Sequence, residues 1–270
     1  MSLTVWSGNS AMRKRMRKTS KGQPPPCLKE LKKHQEERVE AARTQWAQEE
    51  KSGSYIPSTK ADWKGCAKEL RTALCKDQRW LCAYCMQRIQ TFPEDRADEG
   101  EIVPSTPKET KMGIEHFVAR SAKWELMYEW SNLLGVCCGK SRNDVHCDEA
   151  RGDLVLHYDP ATSLILERGF TYSRQAPSGT NGRGYWVRGN TSNAKSDIEH
   201  LNLNAPALAA NRIGAIDHVR KKMSVLSGNP AKSRKFAQKR LAAARSQNPP
   251  AFAPLVEEYL QAKLDKWNRR

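Results

Sequence analysis

Four cysteines set the strictest limit on what this chain can become. Cys82 and Cys85 stand in LCAYC with C-x2-C spacing. That turn points two thiolates at one ion and leaves a tetrahedral zinc short of two ligands. A second set lies downstream in GVCCGKSRNDVHC. Cys147 supplies one ligand, with neighbouring His146 as a harder substitute. Cys137 and Cys138 compete for the other place. Side chains alternate along a strand, so only one of the two reaches the ion. Cys137, directly after the apolar run NLLGV, is the one expected. No thioredoxin-like strand–helix pattern surrounds the C-x2-C pair, which argues against a redox role. No secretory signal is apparent, which argues against a disulfide framework. Cys27, Cys66 and Cys75 are therefore expected as free thiols, some buried on helix faces.

Around this constellation the sequence predicts an α+β fold, mainly helical, with a small metal-pinned core of two strands and a helix. Residues 1–24 form a basic segment of disordered composition that ends in QPPP. Residues 25–80 are expected to be helical. One helix covers 27–51, and a second, capped by Ser58 or Thr59, runs towards Trp80. Residues 81–170 hold the zinc-stabilised core. It contains an acidic, Pro-rich loop at 94–110, a strand at Met112–Val118, a helical turn at Trp124–Trp130, a strand at Asn132–Val136 and a short helix from Asp148. Strands are also expected at Leu154–His157, Leu164–Glu167 and Tyr185–Arg188. Residues 171–270 form a basic, mostly helical extension. There Asn204 caps a helix with Pro206 in its first turn, and Leu208, Ile213, Ile216 and Val219 mark its buried side. Two further helices flank the Pro249-Pro250 break.

The formal net charge is +16. The run RKRMRKTSKG contains no acid, and neither does the stretch from His218 to Val256. Two such regions on either side of a catalytic motif point to a surface that tracks phosphates, so nucleic acid is the expected partner. No apolar run is long enough to span a membrane, and a cytoplasmic location is expected.

Between and beside the cysteine pairs stand GIEHFVARS, WSNLLGVC and CDEARGD. A phosphodiester repels nucleophiles, so its hydrolysis needs a base for water and a cation for developing charge. His116 titrates near neutrality and can be that base. Glu115 and Asp148 offer hard oxygen ligands for Mg²⁺ or Mn²⁺. Arg151, one helical turn beyond Asp148, is a candidate stabiliser of the pentavalent phosphate.

The ordered series Glu115-His116, Asn132 and Asp148, framed by cysteines, resembles the HNH nucleases. Their core is a strand pair and a helix around one divalent ion. The resemblance implies that Asn132 fixes the strand–loop geometry and orients His116. Asp148, where Asn is commoner, is a departure. The strings PPPCLKELKK, DQRWLCAYC, GIEHFVARS, YEWSNLLGVC, HCDEARGD and LNLNAPAL…NRI look most like the HNH subunit of Septu-type and retron anti-phage systems, the PtuB-like proteins. That resemblance implies an ABC/SMC-like ATPase partner of the PtuA kind. Two other readings remain: a non-catalytic zinc-stabilised nucleic-acid-binding module, and a structural adaptor of the ATPase. DNA is favoured over RNA as substrate, with both open.

Overall fold

The computed structural model describes residues 21–49, 58, 60–90, 110–139, 144–162, 169–177 and 183–269. Most of the basic N-terminal run, the expected Thr59 cap, nearly all of the 94–110 loop and the expected Leu164–Glu167 strand lie outside them.

Pro26 opens helix α1 (Pro26–Gln48), where its missing N–H costs nothing and its fixed φ suits the first turn. The helix is rich in Glu, Lys, Gln and Ala and buries only Leu28 and Val39. The next helix, α2 (Ala67–Asp77), starts later than the sequence suggests. The Asp62 carboxylate accepts from Lys64 N (3.0 Å), and Gly65 takes φ +79°, so residues 62–65 form a turn. Trp63 therefore sits in that turn rather than on a helix. Cys27 and Cys66 are not free thiols. They form a disulfide, with Cα atoms 5.5 Å apart, that ties the start of α1 to the N-cap of α2. Their pairing depends on how α1 docks, which residues 39 positions apart do not reveal. Cys75 is buried, with its Sγ 3.3 Å from Met112 Sδ.

Strand β1 (Ile89–Gln90) runs parallel to β2 (Thr110–His116), and β2 pairs antiparallel with β3 (Leu133–Cys137). Glu115 faces Leu134 across the ladder and His116 faces Leu133. All of β3 is buried. Its outer edge is covered by the Gln78 amide, which accepts from Gly135 N and donates to Gly135 O, both at 2.6 Å. A side chain thus stands in for a missing strand and satisfies an edge that would otherwise be open. Between β2 and β3 lie two 3₁₀ turns, Trp124–Leu126 and Trp130–Asn132. Asn132 belongs to the second of them, so β3 begins one residue later than expected.

After β3 the chain reverses at Gly139, whose φ is +61°. A Cβ there would lie 2.0 Å from the His146 carbonyl oxygen. Gly139 O accepts from His146 N (2.9 Å), which brings the following Cys147 back beside Cys137. Helix α3 (Asp148–Arg151) follows at once.

The expected strand at Leu154–His157 is irregular instead. His157 N and Tyr158 N donate to the Asp197 carboxylate at 3.0 Å each, so a side chain takes the place of a neighbouring strand. A second sheet joins β4 (Phe170–Ser173) to β5 (Trp186–Gly189). Helix α4 (Ser192–His200), capped by Thr191, was not foreseen. Asn204 does not cap the next helix. Its amide clamps β5 by accepting from Val187 N (2.7 Å) and donating to Val187 O (2.9 Å). Helix α5 (Pro206–Val225) starts from Ala205 and buries Leu208, Arg212, Ile216 and Val219, whereas Ile213 stays half-buried.

Helices α6 (Pro230–Arg245) and α7 (Ala253–Asn268) run antiparallel, with Arg245 bonded to Glu257 and Arg234 to Asn268. Among the described residues no helix is long and apolar enough to cross a membrane.

Two glycines test this reading. Gly139→Ala has both a left-handed φ and a blocked Cβ position, whereas Gly152 (φ +52°) has open space around its Cβ position. Gly152, at φ +52° and ψ −127°, lies outside the left-handed helical basin, and Gly152→Ala should cost about 1–3 kcal/mol from backbone strain alone. Gly139→Ala should exceed about 3 kcal/mol, because backbone must shift as well. Urea unfolding of the two variants checks the difference.

Candidate functional site

The Cys82 and Cys85 thiols are presented by a tight turn. Cys82 N donates to Gln87 O (2.8 Å), Met86 N to Cys82 O (3.2 Å), and Met86 takes φ +63°. Ala83 N donates to Gly135 O (3.1 Å), which docks the turn on β3. Cys137 arrives from the end of β3 and Cys147 from the N-cap of α3. The four sulfurs lie within 4.8 Å of one another, and all four residues are buried. Cys82 and Cys147 sulfurs are 3.9 Å apart, and those of Cys85 and Cys137 are 3.7 Å apart. A tetrahedron with Zn–S bonds of about 2.3 Å has edges of roughly 3.8 Å, so the spacing fits a zinc-sized ion.

Cys138 is exposed and lies outside the cluster. His146 stands beside the cluster, its Nδ1 3.3 Å from Cys147 Sγ. It is also 3.7 Å from Cys137 Sγ, and the set of mutually close ligand atoms is the four sulfurs without it.

The donor set itself calls for a cation. Burial, the largest influence on Cys82, pushes its pKa up. Hydrogen bonds from the Cys137, Cys147 and Cys85 thiols outweigh it and hold Cys82 well below the usual thiol value. Burial and the same neighbours push Cys147 well above it. One thiolate forms at the expense of the others, and only a bound metal ion lets all four ionise.

Arg212 supplies a charge that the sequence reading missed. The side chain is 1% exposed, and its hydrogen bonds go to carbonyl oxygens, Leu203 O at 2.7 Å and Tyr185 O at 3.3 Å. Nε is buried without a partner. The guanidinium lies over the Tyr172 and Phe252 rings, 5.9 Å from each centroid. Burial lowers its pKa, while Tyr172, Cys85 and Cys147 oppose that fall. A buried cation needs compensation. Four thiolates around a divalent ion would carry two surplus negative charges, and the Cys85 and Cys147 charges act on Arg212. In the sequence it reads as one more Arg in a basic helix. Its only signal is its place on the apolar stripe, one turn from Leu208 and Ile216.

A second cluster lies one strand away. Glu115, on β2, is 8% exposed. Its Oε1 takes an ion pair from Arg151 Nη1 and a hydrogen bond from the Tyr84 hydroxyl (3.3 Å). Asp148, the first residue of α3, presents its carboxyl to that of Glu115. Burial first, and then the Asp148 charge, push Glu115 up to about 8, although Arg151 pulls the other way. Glu115, held protonated first by burial and then by Asp148, forms with it a hard-oxygen pair that a divalent cation would ionise. Tyr84, between the cysteines of the knuckle, was not singled out in the sequence. Burial and Glu115 push its pKa well above the usual value, so it remains a donor.

Arg151 does not stand ready for a phosphate as expected. It is 2% exposed. Besides Glu115, Nη1 donates to Tyr84 Oη (3.2 Å) and His116 O (2.8 Å), Nη2 to Phe117 O (2.5 Å) and Nε to Leu154 O (2.9 Å). The guanidinium is spent on bracing α3 against the end of β2 and holding Glu115.

Alternation along β2 turns His116 away from Glu115. Its ring stacks on Trp63 (centroids 5.8 Å apart, 21° between planes), and Nε2 is 3.0 Å from Met127 O. A carbonyl oxygen only accepts, so Nε2 carries the proton and Nδ1 keeps the lone pair. Burial lowers the His116 pKa to about 4, against the opposing Met127 bond. Asn132 does not touch the His116 ring. Its Oδ1 accepts from Val118 N (2.7 Å), and Nδ2 donates to Val118 O and Leu126 O (3.1 Å each). It closes the loop whose next residue, Met127, holds His116, and so acts through that residue.

No family model matches the chain. It is 38% identical over 78 residues to the Escherichia coli protein named "Retron Ec83 putative HNH endonuclease". The similarity covers 27% of this chain, and the chain spans about a quarter (24%) of that protein's length.

Arg212→Met keeps the bulk and removes the charge. It should speed loss of cluster-bound zinc to a chelator roughly 10- to 100-fold, while Arg212→Lys retains part of the protection. His116 gives a pH signature. Its folded pKa lies below the unfolded value, so the unfolded chain binds the extra proton and stability falls as pH drops from about 6.5 to about 4. Across that window the wild type should lose up to about 3 kcal/mol relative to His116→Gln, measured by paired urea titrations.

Proposed function

We propose that this chain is a metal-dependent HNH-type endonuclease that hydrolyses phosphodiester bonds of nucleic acid, with β2, β3 and α3 as its ββα core. The observation that carries the reading is the carboxyl pair of Glu115 and Asp148, with a neutral His116, its proton fixed on Nε2, as the next residue of the same strand. The partial similarity to the retron protein supports it, and the net charge of +16 suits a polyanionic substrate.

In this reading Glu115 and Asp148 hold Mg²⁺ or Mn²⁺, which when bound polarises the phosphoryl oxygen and stabilises the leaving 3′ oxygen. Arg151 and Tyr84 occupy Glu115 Oε1, which leaves Oε2 for the cation. His116 Nδ1 takes the proton from the attacking water. Met127 O keeps the imidazole in that tautomer, and the Trp63 ring keeps it in plane. The phosphate's own charge favours protonation of His116 as water attacks, against the burial that lowers its pKa. Asn132 is a positioning residue. Cys82, Cys85, Cys137 and Cys147 hold a structural zinc that fixes the start of α3, and with it Asp148.

The proposal extends to an ABC/SMC-like ATPase partner in an anti-phage complex. The strings shared with PtuB-like subunits support this, and so does α1, a long charged helix with little of its surface buried. DNA is the favoured substrate.

The test is a plasmid-nicking and RNA-cleavage assay with Mg²⁺ or Mn²⁺, with the chain alone and co-expressed with its ATPase. His116→Ala should keep its fold by circular dichroism and lose about 100- to 10,000-fold in cleavage rate. A folded His116→Ala protein that cleaves at the wild-type rate overturns the assigned base. Metal-independent binding without cleavage in either setting replaces the nuclease with a binding module.

A further inference from the structure

Helices α5 and α7 run side by side in the same direction. Arg212 lies near Phe252 at one end, and residues 220–224 lie beside 259–267 at the other. Between them is an open groove of about 310 Å³, with Arg220 and Met223 on one wall and Tyr259, Lys263, Lys266 and Trp267 on the other. On α7 these residues follow i, i+4, i+7 and i+8, so they share one face. Lys263 Nζ lies 5.7 Å from the Tyr259 ring centroid, and Trp267 is only half-buried.

No carboxylate lines the groove. The acid beside it, Asp217, pairs with Arg220 at 3.2 Å. Both side chains are about half exposed (55% and 49%), so water weakens that pair. A solvated basic face needs no aromatic rings. A groove for an amphipathic partner helix would need a row of aliphatic anchors, whereas this one offers Met223 as its aliphatic contact. Flat rings interleaved with cations are the pattern that takes bases and phosphates together.

We propose that this groove binds a single-stranded segment of nucleic acid, stacking a base on Trp267 while Lys263, Lys266 and Arg220 hold the flanking phosphates. The site is remote from the carboxyl pair. The first turn of α5 is anchored to Asp144, just ahead of the Cys147 ligand, by Ala207 N (3.0 Å). Arg212, on which the Cys85 and Cys147 charges act, follows five residues later, and Met223 another eleven, about 16 Å beyond it at 1.5 Å per residue. The groove therefore holds substrate well away from the bond to be cut, and in this respect the proposal rests on the nuclease reading.

The test measures binding, not cleavage. The full chain carrying His116→Ala is titrated against fluorescein-labelled oligo-dT and a mixed-sequence duplex of equal length. Anisotropy is read over a series of salt concentrations. Adding Trp267→Ala should weaken oligo-dT binding at least about fivefold, with much less change on the duplex. Trp267→Phe should restore it. Adding Lys263→Gln and Lys266→Gln should lower the single-strand salt slope by about 1.4. Circular dichroism confirms that each variant folds. Absence of oligo-dT binding by the parent overturns the groove. So does unchanged affinity in folded Trp267→Ala, or equal loss on strand and duplex. The nuclease reading fails separately, in the cleavage assay with His116 intact, so the two failures are distinguishable.

Discussion

Convergence of four thiols is the constraint on which the rest of the structure depends. The knuckle at Cys82 and Cys85, the end of β3 and the N-cap of α3 come from separate stretches of chain, and the cluster draws them to one point. Backbone bonds at that point also recruit the helical part, because Cys147 N donates to Leu201 O (2.8 Å) and Phe252 N to Met86 O (2.7 Å). A short helix such as α3 has too few internal hydrogen bonds to stand alone. It persists because its first residue follows a ligand and its last is buried among carbonyls.

The carboxyl pair is a consequence of that arrangement. Glu115 is delivered by strand register and Asp148 by its place next to Cys147. Their mutual repulsion is contained by Arg151 and Tyr84. Tyr84 belongs to the knuckle itself, so thiol cluster and carboxyl pair share a wall. Anything that loosens the thiols also loosens the hydroxyl that holds Glu115. The imidazole of His116 is organised independently, by Trp63 from the turn before α2 and by the loop that Asn132 closes.

Much of this was legible in the sequence where one local rule decides. Spacing and strand alternation select the cysteines that converge, and the apolar runs locate β2, β3 and β5. Helices α1, α6 and α7 follow from composition and proline breaks. Local rules give out where a side chain replaces a backbone partner. Asp197 turns an expected strand into an irregular segment, Asn204 clamps a strand instead of capping a helix, and Gln78 completes a sheet edge. Each is a long-range bond with no local signature. The same holds for the Cys27–Cys66 pairing, for Arg212, and for the commitment of Arg151 to protein acceptors, since burial of an arginine is invisible until its neighbours are in place.

The Cys27–Cys66 bond also changes what kind of object the N-terminal region is. It closes residues 27–66 into a covalent ring containing all of α1 but its first residue, Pro26. A protease that nicks the ring once cannot release a fragment, because both sides of the cut stay attached through sulfur. Only a cut combined with reduction sets α1 free. Reduction alone turns the ring back into an ordinary tether, with α1 held to the core by the docking of its own buried residues.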